Sequence, residues 1–403
     1  MRGALVVLHR WCGLFIAGFL FVAGLTGAVI AWDHELDEWA NPQLFQAASG
    51  VTQTPLAPLE LARRAEAADP RLRVSFVPLA LEPGHTAMLG VAARIDPATG
   101  APYPLGFNQL AMDPATGQAQ GWRQWGRISL SREHLLPFLY KLHYTMHIPK
   151  AWGIEWGVWL MGVVSAVWIV DCLVALWISF PHARSWRKSF AFRLRQGGAK
   201  LNFDLHRSGG VWVWGLLLML AVTSVSLNLG NQVMRPLVSV FSPLTPTPFQ
   251  VRAGSRERER ADPLLNREQA IAAAEAEGRR RGWTAPAGSL FYAQRFGIYG
   301  VAFFTPDNDR DDNGMGNEVL YLDGDTGAIV GDKVPGHGSA GDVFMQAQLP
   351  LHSGRILGTP GRVAMSAMGV LVAMLSVTGV VIWVRKRRAR RAAERAAERA
   401  AQA

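Results

Sequence analysis

Four apolar stretches, at about 5–32, 154–180, 211–229 and 363–384, limit the folds open to this chain. Each is long enough to cross a hydrocarbon layer of about 30 Å as a helix rising about 1.5 Å per residue. Backbone groups in lipid must be satisfied within their own segment, so such runs read as membrane helices. The first run is too long for a secretory h-region. It carries His9-Arg10 near its start and lacks a small-residue cleavage site before Asp33, so it reads as a retained anchor. Hydrophobic residues make up 49% of the chain and charged residues 18%, which fits a membrane protein with polar segments between its spans.

A formal charge of +10 raises nucleic acid as a partner, but the placement of the charge excludes it. Residues 181–200 carry six Lys/Arg and no acid, and the tail from Arg385 carries eight Lys/Arg against two Glu. Both blocks flank membrane ends, and basic flanks mark the cytoplasmic side. The expected layout is therefore 1–32 first span, 33–150 outer segment, 151–181 second span and 182–200 basic cytoplasmic loop. It continues with 201–230 third span, 231–360 outer segment, 361–385 fourth span and 386–403 basic cytoplasmic tail. Both termini are expected on the inside.

Internal repetition sharpens this layout. Leu8-His9-Arg10 opens the first apolar run and Leu205-His206-Arg207 precedes the third, with Gly13 and Gly210 four positions after each His. Leu142-His143 and Leu351-His352 precede the second and fourth runs. The spacing is 134 residues from His9 to His143 and 146 from His206 to His352. That is a half-protein duplication of the kind common in membrane proteins. It predicts that His9 and His206 meet near the inner face and His143 and His352 near the outer one.

The two outer segments also repeat. Residues 58–68 have the spacing of an amphipathic helix, and 266–281 form a second helix opened by an Asn cap and closed by Gly282. Strands are expected at 73–78, 87–93, 289–294, 297–304, 318–323 and 328–330. Asp96-Pro-Ala-Thr-Gly100 and Asp113-Pro-Ala-Thr-Gly117 are turns, as is Gly324-Asp-Thr-Gly327. Helix, strands and a D-x-T-G hairpin resemble the PepSY domain. The whole chain, as span, PepSY-like segment and span taken twice with LHR and LH at matching points, resembles the PepSY-associated transmembrane family. Residues 228–243 and 351–358 share that resemblance. It implies a four-helix transmembrane bundle built by internal duplication, with two extracytoplasmic PepSY-like α+β segments. Some members of that family are inner-membrane dihaem reductases of ferric siderophores.

Histidine suits this chemistry, because neutral imidazole is a metal ligand that an apolar setting tolerates. The expected cofactors are two b-type haems, one held by His9 and His206 and the other by His143 and His352. His147, one turn beyond His143, is a substitute ligand for the second. Arg10 and Arg207 are placed to meet propionates. The acceptor implied by the resemblance is a ferric siderophore or ferric chelate outside, and no catalytic residue separate from haem is implied. No G-x-G-x-x-G follows a strand, so the electron donor is a separate protein, a free reduced flavin or a quinol. Two other classes compete: a haem subunit serving another redox partner, and a non-enzymatic PepSY anchor or sensor regulating a protease.

Other features carry less. Asp171 lies inside the second run, where an acid is either functional or a helix–helix hydrogen bond. Asp309, Asp311 and Asn313 begin like a calcium loop, but Leu320 stands where the bidentate Glu belongs. Trp152, Trp156 and Trp159 read as an interfacial belt. Cys12 and Cys172 make no disulfide framework, and the chain has no CxxCH motif. His34, His85, His134, His182 and His337 have no counterpart in the other half and read as loop or interface residues.

Overall fold

The computed structural model describes the whole chain except Thr52, Ala253, residues 255–261, residues 309–313 and Ala403. Asp309, Asp311 and Asn313 of the calcium-like loop therefore lie outside the described residues. Helix α1 covers Arg2–Ile30. The first inter-helix segment contains α2 (Pro58–Ala68) and strands β1 (Leu72–Pro78), β2 (Ala87–Ala93), β3 (Gln109–Met112) and β4 (Ala119–Arg123). Next come α3 (Arg132–Thr145), α4 (Trp156–Ser179), α5 (Gly198–Trp212) and α6 (Trp214–Asn228). The second segment contains α7 (Arg267–Arg280) and strands β5 (Ala287–Ala293), β6 (Ile298–Phe303), β7 (Glu318–Asp323) and β8 (Ile329–Lys333). Helices α8 (Ala340–Ser353) and α9 (Gly358–Gln402) complete the order. The chain divides into a helical unit (1–32, 139–237, 348–403) and a sheet unit (33–138, 238–347).

In the sheet unit the two segments share one antiparallel sheet of order β4-β3-β2-β1-β5-β6-β7-β8. The join is β1 against β5, with Phe76 opposite Phe291, Val77 opposite Leu290 and Pro78 opposite Ser289. The sequence pattern suggested two separate α+β segments; they are instead one body, because each half would otherwise leave an unpaired strand edge. Helix α2 lays Leu61, Ala62 and Ala65 on Leu72, Val74 and Leu89. Helix α7 lays Ala270 and Ala274 on Leu290, Val301 and Leu320. Each fully buried Leu or Val here contributes about 1.5–3 kcal/mol relative to exposure. The α7 start is capped as expected: Gln269 N–H donates to Asn266 Oδ1 at 2.8 Å, and Gln269 Oε1 accepts from Asn266 N–H at 3.0 Å. Arg267 ties the halves together through Glu66 at 2.6 Å and the Val74 carbonyl at 2.9 Å.

The expected Asp turns are present in the same unit. Asp113 accepts from Ala115 and Thr116 N–H groups, and Asp323 from Asp325 and Thr326 N–H groups. Burial pulls the Asp323 carboxyl up, but those hydrogen bonds and Arg252 outweigh it and hold it at about 2. Its stabilising effect is complete above the ordinary carboxylate range and is lost as pH falls toward 2.

In the helical unit, α1, α4 and the segment 355–402 that contains α9 are each long and apolar enough to span a membrane. A fourth span exists if α5 and α6 count as one, for they meet at a 71° bend. The expectation of one continuous third span is thus corrected. The helix breaks at Val213 (φ −109°, ψ 14°), just after the weak Ser208-Gly209-Gly210 stretch, where little helix propensity resists a break. Trp214 Nε1 then donates to the Cys172 carbonyl of α4 at 2.9 Å. Trp11, Phe15, Phe21, Leu25 and Val29 of α1 are exposed, as are Val163, Val170 and Leu173 of α4. Such an apolar surface is costly in water and favourable against lipid. Helices α1 and α9 cross closely at Gly24, where an added Cβ would lie 2.5 Å from the Gly369 carbonyl oxygen.

Candidate functional site

Two histidine pairs form inside the helical unit. The ring of His9 on α1 lies 6.0 Å, centroid to centroid, from that of His206 on α5. The ring of His143, near the end of α3, lies 6.0 Å from that of His352, near the end of α8. The motif-bearing residues are thus brought together two by two, each pair drawing one member from each half of the sequence.

Every one of these rings has its Nδ1 engaged. His9 Nδ1 meets Asp171 Oδ1 of α4 at 2.8 Å. His206 Nδ1 meets the Leu375 carbonyl at 3.0 Å and Thr378 Oγ1 at 3.2 Å, both on α9. His143 Nδ1 meets the Ala23 carbonyl at 2.9 Å and Thr26 Oγ1 at 3.2 Å, both on α1. His352 Nδ1 meets Thr223 Oγ1 of α6 at 2.9 Å. Carbonyl oxygens can only accept. The three threonines already donate their protons to carbonyls one turn back: Thr26 to Val22 at 2.7 Å, Thr223 to Met219 at 2.9 Å and Thr378 to Met374 at 2.8 Å. Toward imidazole each hydroxyl is therefore an acceptor. The acceptors assign the proton to Nδ1 in His143, His206 and His352, which leaves the Nε2 lone pair uncommitted.

Glycines make room for two of the rings. A Cβ on Gly27 would lie 3.0 Å from His143 Cε1, and one on Gly379 would lie 2.9 Å from His206 Cε1. The glycines singled out by sequence, Gly13 and Gly210, line a cavity of about 730 Å³ together with His9, His206 and Asp171. Arg10, Arg207, Lys386, Arg387 and Arg390 also line it, all exposed except the half-buried Arg207. Arg207 donates to the Lys188 carbonyl at 2.5 Å and lies over the Phe203 ring, while its Nε is buried without a hydrogen-bond partner.

His147 is placed differently from the expectation. Helix α3 ends at Thr145, and Met146 and His147 take left-handed backbone angles, φ 50° and 52°. His147 therefore leaves the helical face it was expected to share with His143, and the ring opposite His352 is that of His143. Asp171, left open by the sequence between a functional acid and a helix–helix hydrogen bond, is the partner of His9. Thr26, Thr223 and Thr378 were missed. A signal for two of them existed: Thr26 follows His9 by 17 residues, and Thr223 follows His206 by 17.

Apolar spans with an α+β sheet unit, and histidines paired between the two halves, define a multi-pass membrane protein of the PepSY type. The chain belongs to the PepSY-associated TM region family, whose profile matches residues 6–386. No curated protein matches the sequence.

Proposed function

We propose that the chain is a dihaem electron carrier of the bacterial inner membrane that reduces ferric siderophores or other ferric chelates on its outer side. In this reading α5 and α6 form one bent span, and four spans make a duplicated bundle. The basic loop and both termini face the cytoplasm, and the sheet unit faces the periplasm. His9 and His206 hold the inner b-type haem, with Arg10 and Arg207 meeting its propionates. His143 and His352 hold the outer one.

The observation that carries the reading is the shared state of the imidazoles. They lie in pairs at 6.0 Å between ring centroids, tilted by 45° and 63°, with every Nδ1 bonded to a neighbouring helix. A metal held between the Nε2 atoms of a pair by bonds of about 2 Å would fit ring centroids about 6 Å apart. Simple ring contact also occurs at this separation, but it does not account for the same Nδ1 commitment at both pairs. Hydrogen bonds to the nitrogen away from the metal orient metal-binding imidazoles in this way. Among the described residues no group of three or more His, Cys, Asp or Glu could hold a bare metal ion. The orphaned Arg207 Nε, in a mostly apolar cavity also lined by cations, suits a flat apolar group with acidic substituents.

Haem, when bound, supplies one-electron transfer. The chain's part is to hold its ligands in one tautomer, exclude water and separate the two sites. From the level of His9 to that of Thr26, the partner of His143, α1 rises about 25 Å. Ferrous iron is held less tightly than ferric by hard oxygen donors, so reduction frees it. The donor is a protein, a reduced flavin or a quinol.

The test is the reduced-minus-oxidised spectrum of the purified protein with haem stoichiometry, followed by reoxidation with a ferric chelate. Two haems and fast reoxidation are expected. A colourless protein overturns the reading in favour of a non-enzymatic anchor, and haem without chelate reduction makes the chain a subunit for another redox partner. For orientation, cysteines introduced near Asp113 and Asp325 should react with an impermeant thiol reagent in cells with a permeable outer membrane. One introduced near Arg193 should not, and labelling there alone reverses the topology.

A further inference from the structure

The two histidine pairs differ in one charge. Three of the four imidazoles donate to neutral acceptors: His206 to Leu375 and Thr378, His143 to Ala23 and Thr26, and His352 to Thr223. His9 alone faces a carboxylate, Asp171 Oδ1 at 2.8 Å. Asp171 is 8% exposed, lies about two-thirds of the way along α4 and borders the same cavity as His9 and His206. An acid in such a place is costly to keep unless it does something there.

We propose that Asp171 is a positioning residue that sets the redox poise between the two sites, holding the midpoint potential of the inner haem below that of the outer one. The inference rests on the dihaem reading above. If His9 binds metal through Nε2, its Nδ1 carries the proton and Asp171 Oδ1 is the acceptor, which the proposal takes as a carboxylate oxygen. A carboxylate accepting from Nδ1–H pulls on that proton and makes Nε2 the stronger donor. A stronger axial donor favours the more highly charged ferric state, as does a negative charge at close range in a poorly screened interior. The Thr and carbonyl partners of the other three imidazoles do both less strongly, because a charged acceptor makes roughly twice as strong a hydrogen bond as a neutral one. The cations Arg10, Arg207, Lys386, Arg387 and Arg390 act in the opposite sense. Arg10, Lys386, Arg387 and Arg390 are exposed, so solvent and salt screen them, and the half-buried Arg207 is engaged by the Lys188 carbonyl and the Phe203 ring, whereas Asp171 bonds directly to the ligand. A lower inner than outer potential gives electrons a downhill direction outward.

The experiment is a redox potentiometric titration of the purified full-length protein, followed by haem absorbance, which requires no turnover. The wild type should show two one-electron components. In Asp171→Asn the amide oxygen can still accept from Nδ1–H, but the charge is gone. The lower component should then rise by at least tenfold in its reduced-to-oxidised ratio at fixed potential, which is about 59 mV for a one-electron couple, and the upper one should stay. Repeating the substitution in His143→Ala/His352→Ala, which keeps only the inner haem, assigns the component. An unmoved or lowered inner midpoint overturns the proposal. If Asp171→Asn loses the inner haem, the reciprocal variant decides. Thr223→Asp gives His352 a carboxylate and should lower the outer midpoint by a similar factor; an outer midpoint that does not fall overturns the proposal. A wild type without haem sinks both this inference and the reading beneath it, whereas two haems with unshifted midpoints sink this inference alone.

Discussion

The His9–His206 and His143–His352 pairs have the same ring separation, 6.0 Å, and the same use of Nδ1, yet their surroundings differ. The first borders a cavity lined also by Arg10, Arg207, Lys386, Arg387 and Arg390, and its His9 bonds to Asp171. The second is held by neutral groups, the Ala23 carbonyl and the hydroxyls of Thr26 and Thr223. What is common to the two, the opposed imidazoles, is what ligation would need. What differs, the charge, would tune a site and choose its neighbours. The duplication proposed for this chain would then have kept the first and let the second diverge.

The largest expected effect tests whether the pairs are independent sites. If the proposed dihaem reading holds, His9→Ala and His206→Ala should each remove the same haem, and His143→Ala and His352→Ala the other. Stoichiometry should fall from about two to about one in every case, with two different residual spectra. A His9→Ala/His206→Ala protein that still carries two haems breaks the comparison at its root. The bland alternative for any one of these residues, a hydrogen-bonding histidine at the membrane interface, predicts no change in pigment.

A smaller effect separates the pairs through their glycines. Gly27→Ala places a methyl 3.0 Å from His143 Cε1, and Gly379→Ala places one 2.9 Å from His206 Cε1. The rings must move by a few tenths of an ångström, and overpacking of this kind costs about 1–3 kcal/mol. Each variant should shift the absorption of one haem and leave the other unchanged: the outer for Gly27→Ala, the inner for Gly379→Ala. Equal shifts at both haems would mean that the strain spreads through the bundle, and the sites could not then be treated separately.

Much of this arrangement was legible in the sequence. The LHR and LH echoes named the residues that the structure brings together, His9 with His206 and His143 with His352. The amphipathic helix at 58–68 and the Asn266 cap are local signals, and the structure has both. Long-range features were harder to read. The β1–β5 join depends on register between residues more than 200 positions apart, and nothing local in Phe76 or Phe291 announces it. Strands β3 and β4 were overlooked because QLAM and AQGWR are short and lack alternation. His147 was misplaced because helix continuation was assumed through Met146, whose left-handed angle ends it. Asp171 stood out as an acid in a span, but its partner lies 162 residues away.

The finest test lies within the outer pair, between its two threonines. His143 Nδ1 has two acceptors, the Ala23 carbonyl at 2.9 Å and Thr26 Oγ1 at 3.2 Å. For His352 Nδ1 the acceptor is Thr223 Oγ1, at 2.9 Å. Thr→Val keeps the shape and removes the oxygen. In Thr26→Val the imidazole keeps the shorter of its two bonds, so the loss is that of one weak neutral hydrogen bond, about 0.5–1 kcal/mol. In Thr223→Val a buried N–H loses its acceptor, which costs about 1–3 kcal/mol and frees the ring to turn. Loss of a second-shell partner typically weakens a metal site about 10–100-fold. Thr223→Val should therefore raise the rate of outer-haem loss to an apoprotein acceptor by about tenfold or more, with Thr26→Val only a few-fold above wild type and the inner haem unaffected in both. If Thr26→Val releases haem as fast as Thr223→Val, the Ala23 carbonyl does not hold the His143 tautomer, and the two threonines carry equal weight despite their unequal geometry.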